Sequence, residues 1–138
     1  MSTRLTKASA IMAFVIGAMA VFAGGKVLLG QMPDYYVIDW VPVYNFSVGL
    51  ITAAVTAIVI WKNSKLALPT AIATLSSHSI VMIVLQTAYR DIVAPDSIQA
   101  MTIRIIVWII ILILLLIQAW INRGTHEKKI QAQGLSER

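Results

Sequence analysis

Four long apolar stretches, separated by short polar segments, form the main pattern of the sequence. None of them contains Asp, Glu, Lys or Arg, and they cover residues 8–25, 40–61, 66–89 and 105–122. A helix needs about 20 predominantly apolar residues to cross the hydrocarbon core of a membrane. With their flanking residues, the stretches predict four transmembrane helices, at 8–30, 44–61, 66–89 and 97–121. We therefore expect an all-α integral membrane protein with a single domain over residues 1–121.

The short connections indicate how the spans are arranged. The turn at residues 62–65 is long enough only for an antiparallel return between the second and third spans. We expect the four helices to form an antiparallel up-down bundle. Residues 122–138 follow as a polar tail, which forms either a short surface helix or disordered chain.

The few charged residues predict an orientation. Arg4, Lys7, Lys62 and Lys65 fall on the same side as the tail, together with its four basic residues. The opposite side carries all four aspartates, which are Asp34, Asp39, Asp91 and Asp96. Since cytoplasmic loops are enriched in Lys and Arg, both termini are expected in the cytoplasm. Short loops fit the plasma (inner) membrane of a bacterium or archaeon.

Composition narrows the class of protein. Hydrophobic residues make up 59% of the chain and charged residues 12%, with a mean hydropathy of +0.82, which excludes a soluble globular domain. The absence of cysteine excludes disulfide, thiolate-metal and iron–sulfur chemistry. The net charge of +5 follows from the loop asymmetry, and no nucleic-acid motif accompanies it. The expected surroundings are a lipid bilayer and not a nucleic acid.

The first span carries small residues on one helical face. Ala13, Gly17, Ala20 and Gly24 recur at spacings of four, three and four. In a membrane, helices associate closely where small residues let their backbones approach. This face is expected to pack against a neighbouring helix. The same segment also resembles a cleavable signal peptide, with a small-residue site that ends at Ala20.

The segment 31–45 is rich in aromatic residues, prolines and aspartates. Rings such as Trp40 favour the membrane–water interface, so an aromatic belt is one interpretation. The alternative is a lid or docking surface, in which Asp34 or Asp39 meets a cation or a basic partner.

The third span places a histidine among hydroxyl groups near the middle of the bilayer. Thr74, His78 and Met82 share one ridge, with Ser77 beside it. Polar groups at this depth face protein or water and often mark a functional site. His78 is a candidate axial ligand of haem b, with Met82 as a second ligand, or a hydrogen-bond donor to a quinone. It also fits a proton or ion pathway, or a structural hydrogen bond to a hydroxyl on a facing helix.

A second cluster of polar residues lies at the ends of the third and fourth spans, on the side of the membrane that carries the four aspartates. It contains Gln86, Tyr89, Arg90 and Arg104. Arg90 is expected to form a solvated ion pair, which contributes little to stability. Arg104 lies about two turns inside the fourth span, so it either snorkels to lipid phosphate or pairs with an aspartate. It is also a candidate contact for an anion or a substrate carboxylate, at a mouth lined by Tyr89 and Trp40.

No motif indicates catalysis. The spans contain no pair of carboxylates and the chain has no HExxH sequence. We expect a non-catalytic interaction or assembly subunit of a membrane complex, as a homo-oligomer or with other membrane subunits. The alternatives are a haem- or quinone-binding protein that uses His78, and a small homo-oligomeric channel or carrier with a hydroxyl-lined path.

Overall fold

The structure, a computed structural model, describes the backbone of residues 3–136 and the side chains of residues 3–125. Outside its loops and turns, the described chain is helical. It contains four helices, α1 (Arg4–Leu28), α2 (Trp40–Trp61), α3 (Ala67–Thr87) and α4 (Pro95–Ser136). Each contains a segment long and apolar enough to span a membrane, which in α4 is Pro95–Thr125. The prediction of an all-α, multi-pass membrane protein is therefore confirmed.

The second helix begins earlier than predicted. It starts at Trp40, so Pro42 is its third residue and the preceding loop ends at Asp39. The first turn of a helix has backbone N–H groups without intrahelical partners, so proline is tolerated there. The prediction that residues 40–43 belong to a loop is wrong for this reason. A π-helical turn at Thr52–Thr56 interrupts α2 and leaves both threonines buried.

Helix α4 also differs from its prediction at both ends. It starts at Pro95, which favours the first helical position because its φ angle is preset. Asp96 consequently lies inside the first turn. At the other end the helical backbone continues to Ser136, beyond the predicted end of the span at 121.

Helices α1 and α2 are in backbone contact along the face of small residues. A methyl group on Gly17 would lie 2.9 Å from the carbonyl oxygen of Gly49, and one on Gly49 would lie 2.8 Å from that of Gly17. A methyl group on Gly24 would lie 2.6 Å from the carbonyl oxygen of Pro42. Contacts this short leave no room for a side chain. The prediction that this face packs against a neighbouring helix is therefore confirmed.

Two groups of residues define opposite ends of the molecule. The loop end combines residues from the loop before α2 with the adjoining helix ends: Gly24, Tyr35, Pro42, Leu85, Ser97 and Arg104. The terminal end combines the start of α1, the α2–α3 turn and the far part of the α4 span: Thr6, Ser64, Leu68, Leu115 and Gln118.

A single buried ridge of α4 connects the two ends. Arg104 lies on it at the loop end and Gln118 at the terminal end, 7% and 3% exposed. Between them Trp108, Ile111 and Leu115 belong to an apolar cluster that includes buried residues of α1, α2 and α3. The two polar residues are 14 positions apart, which is about 21 Å along a helix. The apolar cluster therefore separates the polar groups of the two ends.

Candidate functional site

His78 is hydrogen-bonded to a tyrosine of the facing helix. The hydroxyl of Tyr44 lies 2.8 Å from Nδ1 of His78 and 3.0 Å from Oγ of Ser77. The two rings are nearly perpendicular, with centroids 5.9 Å apart. The contact joins α2 to α3 and defines how α2 is rotated about its own axis.

This geometry matches the structural alternative for His78 among those that the sequence left open. Its side chain is only 4% exposed, and Nδ1 is engaged by Tyr44. A haem would require this part of the protein to open. Met82, the second candidate haem ligand, is instead packed against the apolar residues of the loop end. The hydroxyl of Thr74 donates to the carbonyl oxygen of Thr70 at 2.9 Å, so it is satisfied within its own helix.

Arg104 is buried and bonded to an amide. Its Nη1 donates to Oδ1 of Asn45 on α2. Among the described side chains, no carboxylate oxygen lies within 4.0 Å of the guanidinium. Both snorkelling to lipid phosphate and pairing with an aspartate are therefore wrong for this structure. The aspartates lie at exposed positions, whereas Arg104 faces the interior on the same ridge as Trp108.

A cavity of about 90 Å³ lies beside Arg104 and Asn45. Its other polar lining residues are Tyr35, from the loop before α2, and Ser97, from the start of α4. The remainder of the lining is apolar or glycine: Ala23, Gly24, Val27, Val37, Val41, Pro42, Leu85, Ala100 and Met101. A single buried cation thus faces a small cavity with hydroxyl and amide groups around it.

The position of Asn45 follows from its neighbours in sequence and space. Successive residues of an α-helix are turned by about 100°, so fixing Tyr44 against His78 also fixes the direction of Asn45. On the other side, the Cβ atom of Asn45 would lie 3.2 Å from a methyl group on Gly24. Tyr44, His78 and Gly24 therefore act as positioning residues for the amide that Arg104 contacts.

No protein-family profile, curated protein or solved structure matches this chain. Its function is therefore inferred from the side-chain geometry.

The aromatic residues of the loop end form a cluster above His78. The rings of Trp40 and Tyr89 have centroids 6.1 Å apart, and those of Trp40 and Tyr44 are 6.3 Å apart. Trp40 and Tyr89 are thus brought together, but neither lines the cavity beside Arg104, where the sequence placed them. The cluster packs against the buried side chains of Ile38 and Val81.

Four other predicted site residues stay apart from this arrangement. Gln86 and Arg90, near the end of α3, and Asp34 and Asp39, before α2, are all exposed. None of the four lines the cavity beside Arg104.

Sequence reasoning missed four site residues: Tyr44 and Asn45 on α2, Tyr35 in the preceding loop, and Ser97 on α4. The sequence places Tyr44 and Asn45 both in the aromatic segment 31–45 and at the start of the predicted second span, so neither stands out as a polar group inside a helix. The signal that would have found them is the proline rule for the first helical turn, which makes Asn45 an amide within an apolar helix. No pattern in the sequence singles out Ser97.

Proposed function

We propose that the protein is a non-catalytic membrane protein that binds a small anion, or the carboxylate of a small ligand, at the loop end. Arg104 provides the positive charge. Asn45 orients the guanidinium, and Ser97 and Tyr35 supply hydroxyl donors from the cavity wall.

The observation that carries this proposal is the buried charge of Arg104, which has no carboxylate partner among the side chains of residues 3–125. An arginine side chain stays protonated in proteins and has five N–H donors, of which the bond to Asn45 uses one. A buried charge is costly unless it is paired and hydrogen-bonded. A bound anion supplies both the opposite charge and the missing acceptors. Guanidinium groups bind carboxylates and similar planar anions especially well, because two parallel hydrogen bonds form.

The volume of the cavity restricts the ligand. A single water needs about 10–15 Å³ of comparable space, so a cavity of about 90 Å³ has room for a group of several heavy atoms. Nitrate, formate, acetate and a halide fit this range. The apolar lining suits a short alkyl group next to a carboxylate.

The apolar cluster between the two ends favours binding over conduction. Trp108 and Ile111 are fully buried directly beyond Arg104 on the α4 ridge. Ions cross such a region only if it becomes hydrated, and the channel alternative therefore requires a different conformation. The hydroxyl of Thr74, a candidate for such a path, is bonded to its own helix.

Thermal unfolding in different anions tests the proposal. The full chain is purified in uncharged detergent and melted in sodium gluconate, chloride, nitrate, formate or acetate at equal ionic strength, with tryptophan fluorescence as the readout. A ligand at about 100 times its dissociation constant stabilises the folded protein by about 2.7 kcal/mol. We expect at least one small anion to raise the melting temperature above that in gluconate.

A matched pair of variants identifies the residue responsible. Arg104→Gln should abolish the stabilisation, whereas Arg90→Gln removes the same charge from an exposed position near the same end and should retain it. Equal melting in all anions, or equal loss in the two variants, would contradict the proposal.

A second candidate function is the expected role as a subunit of a membrane complex, which a groove on the outer surface favours. The groove has a volume of about 420 Å³, lies between α1 and α2, and is lined by Ala10, Ile11, Phe14, Ala53, Ala54, Ala57, Ile58 and Trp61. Its alanines allow a helix of another membrane subunit to approach closely. A photo-crosslinking residue at Ala54, compared with one at the exposed Ile113 of α4, tests this in native membranes. Products that contain only this chain would indicate a homo-oligomer and contradict a heteromeric complex.

We also propose that the four helices form an antiparallel up-down bundle with both termini in the cytoplasm of a bacterium or archaeon. Support comes from the basic residues of the α2–α3 turn, which lie at the same end as the start of α1. Because the chain has no cysteine, single cysteines report its topology cleanly. In intact cells an impermeant maleimide should label Asp91→Cys and should not label Lys62→Cys. The reverse pattern would overturn the orientation.

A further inference from the structure

A second cavity lies at the terminal end, remote from Arg104. It has a volume of about 160 Å³. Its polar lining comes from three parts of the chain: Thr6 of α1, Asn63, Ser64 and Lys65 of the α2–α3 turn, and Gln118 and Asn122 of α4. The α4 ridge places it about 21 Å from the loop-end site, with the apolar cluster between.

Thr6 is a buried hydroxyl group without a hydrogen-bond partner in the described structure. Its side chain is 1% exposed, lines the cavity, and leaves Oγ1 unbonded. Buried polar side chains in folded proteins are nearly always hydrogen-bonded, and leaving one unsatisfied is unfavourable. Because Thr6 lines the cavity, a ligand bound there is a candidate partner for this hydroxyl.

Two amides extend the set of donors. Oε1 of Gln118 accepts from the backbone N–H of Leu5 at 3.3 Å, and its Nε2 donates to Oδ1 of Asn122 at 3.2 Å. These bonds hold Gln118 in place at 3% exposure. Each amide group carries two N–H donors, so Gln118 has a second one to offer and Asn122 has its own pair.

The charges at this end favour an anion. Lys65 lines the cavity, while the ammonium group of Lys7 lies 5.4 Å from the ring centroid of Trp61. Among the side chains that the structure describes, the carboxylates are the four aspartates, which belong to the loops and helix starts of the opposite end. A cavity with a cation, a hydroxyl and amide donors, and with no described acidic neighbour, has the chemistry of a phosphate site.

We propose that this terminal-end cavity binds a phosphate group, which Lys65, the Thr6 hydroxyl and the amides of Gln118 and Asn122 hold together. The acceptor oxygens of a phosphate match donors that converge from two helices, α1 and α4, and from the α2–α3 turn. The volume is roughly ten times that needed for a single water, which suits a phosphate group. Because the cavity lies at the ends of membrane-spanning helices, an anionic lipid headgroup and a soluble phosphate compound are both sources of this group.

Melting experiments with three compounds test the site and distinguish the sources. The full chain in uncharged detergent is titrated with inorganic phosphate, with short-chain phosphatidylglycerol and with short-chain diacylglycerol, which has no phosphate, against sodium chloride at equal ionic strength. Stabilisation by phosphatidylglycerol alone assigns the site to a lipid headgroup, and stabilisation by inorganic phosphate alone assigns it to a soluble compound. Stabilisation by both shows that the phosphate group itself is recognised. If neither phosphate nor phosphatidylglycerol stabilises the protein more than diacylglycerol and chloride do, the proposal is wrong.

Two matched substitutions locate the binding. Lys65→Gln should lower the affinity for the stabilising compound about tenfold or more, as expected for loss of a hydrogen bond to a charged group. Lys62→Gln changes the same charge in the same turn but outside the cavity lining, and should leave the affinity unchanged. Equal effects of the two variants would indicate non-specific electrostatic attraction to the basic surface, and would overturn the proposal of a defined site.

Thr6→Val distinguishes a ligand-binding role of the Thr6 hydroxyl from a purely structural one. Valine has nearly the shape of threonine, so the ligand-free protein should melt at a higher temperature once the unbonded hydroxyl is removed. The same variant should lose most of its response to the ligand, while Thr6→Ser retains it. A full response in Thr6→Val would contradict the proposal. The Arg104→Gln variant should respond like the unmodified protein, which separates this site from the proposed function of the loop end.

Discussion

Two adjacent glycines of α1 provide a sharp test of the packing that positions Asn45. Gly24 and Gly25 occupy the same helix, and replacing either by alanine improves helix propensity by about 1 kcal/mol. Their surroundings differ. A methyl group on Gly25 would lie 3.6 Å from Cδ2 of Phe46, an ordinary van der Waals contact. A methyl group on Gly24 would lie 2.6 Å from the carbonyl oxygen of Pro42 and 2.7 Å from the backbone nitrogen of Phe46.

The size of the effect follows from these contacts. The atoms that oppose Gly24→Ala belong to the backbone of α2, so the two helices must move apart. Overpacking of this kind typically costs about 1–3 kcal/mol. Because the gain in helix propensity is common to both variants, it cancels in their comparison. Gly24→Ala should therefore be less stable than Gly25→Ala by about 1–3 kcal/mol.

Equilibrium unfolding in mixed micelles, with tryptophan fluorescence as the readout, measures this difference in the free energy of unfolding. The displacement of α2 should also move Asn45 away from Arg104, so Gly24→Ala should bind the loop-end anion more weakly than Gly25→Ala. Equal stabilities of the two variants would refute the close backbone contact at Gly24. A stability difference without any difference in anion affinity would refute the positioning role of this contact.

Three further substitutions test the interactions described above. Tyr44→Phe removes the hydroxyl that bonds to His78 and Ser77, and should lower the free energy of unfolding by about 1–3 kcal/mol, whereas Tyr36→Phe, at an exposed position, should leave it unchanged in the same assay. His78→Ala should lower stability without altering the visible absorption spectrum; a Soret band that disappears in this variant would instead support the haem alternative. Gly30 has a φ angle of +85° with open space around it, so Gly30→Ala should destabilise the protein by about 1–2 kcal/mol through backbone strain alone, and an unchanged unfolding midpoint would contradict that conformation.

The number and approximate limits of the helices could be predicted because the membrane imposes them. In hydrocarbon every backbone polar group must be bonded within its own segment, so an apolar run of about 20 residues has few structures available to it. Small residues at helical spacing likewise predicted that α1 approaches another helix closely. The start of α2 was missed because a proline fits equally well in a loop and in a first helical turn, and local sequence does not distinguish the two.

The geometry of the site depends on contacts between residues that lie far apart in the sequence, which no local pattern reveals. The sequence singled out His78 and Arg104 as polar groups within apolar spans, because their depth alone makes them unusual. Their partners, Tyr44 and Asn45, lie more than thirty positions away and were known only once the rotation of α2 against α1 and α3 was known. A helix can turn about its axis without changing its hydropathy, so the packing of Gly24 and the hydrogen bond of Tyr44 decide which group faces Arg104. The sequence by itself determined that an arginine lies within an apolar span, and the tertiary structure decided that it is buried and that an amide and a cavity face it in place of a carboxylate.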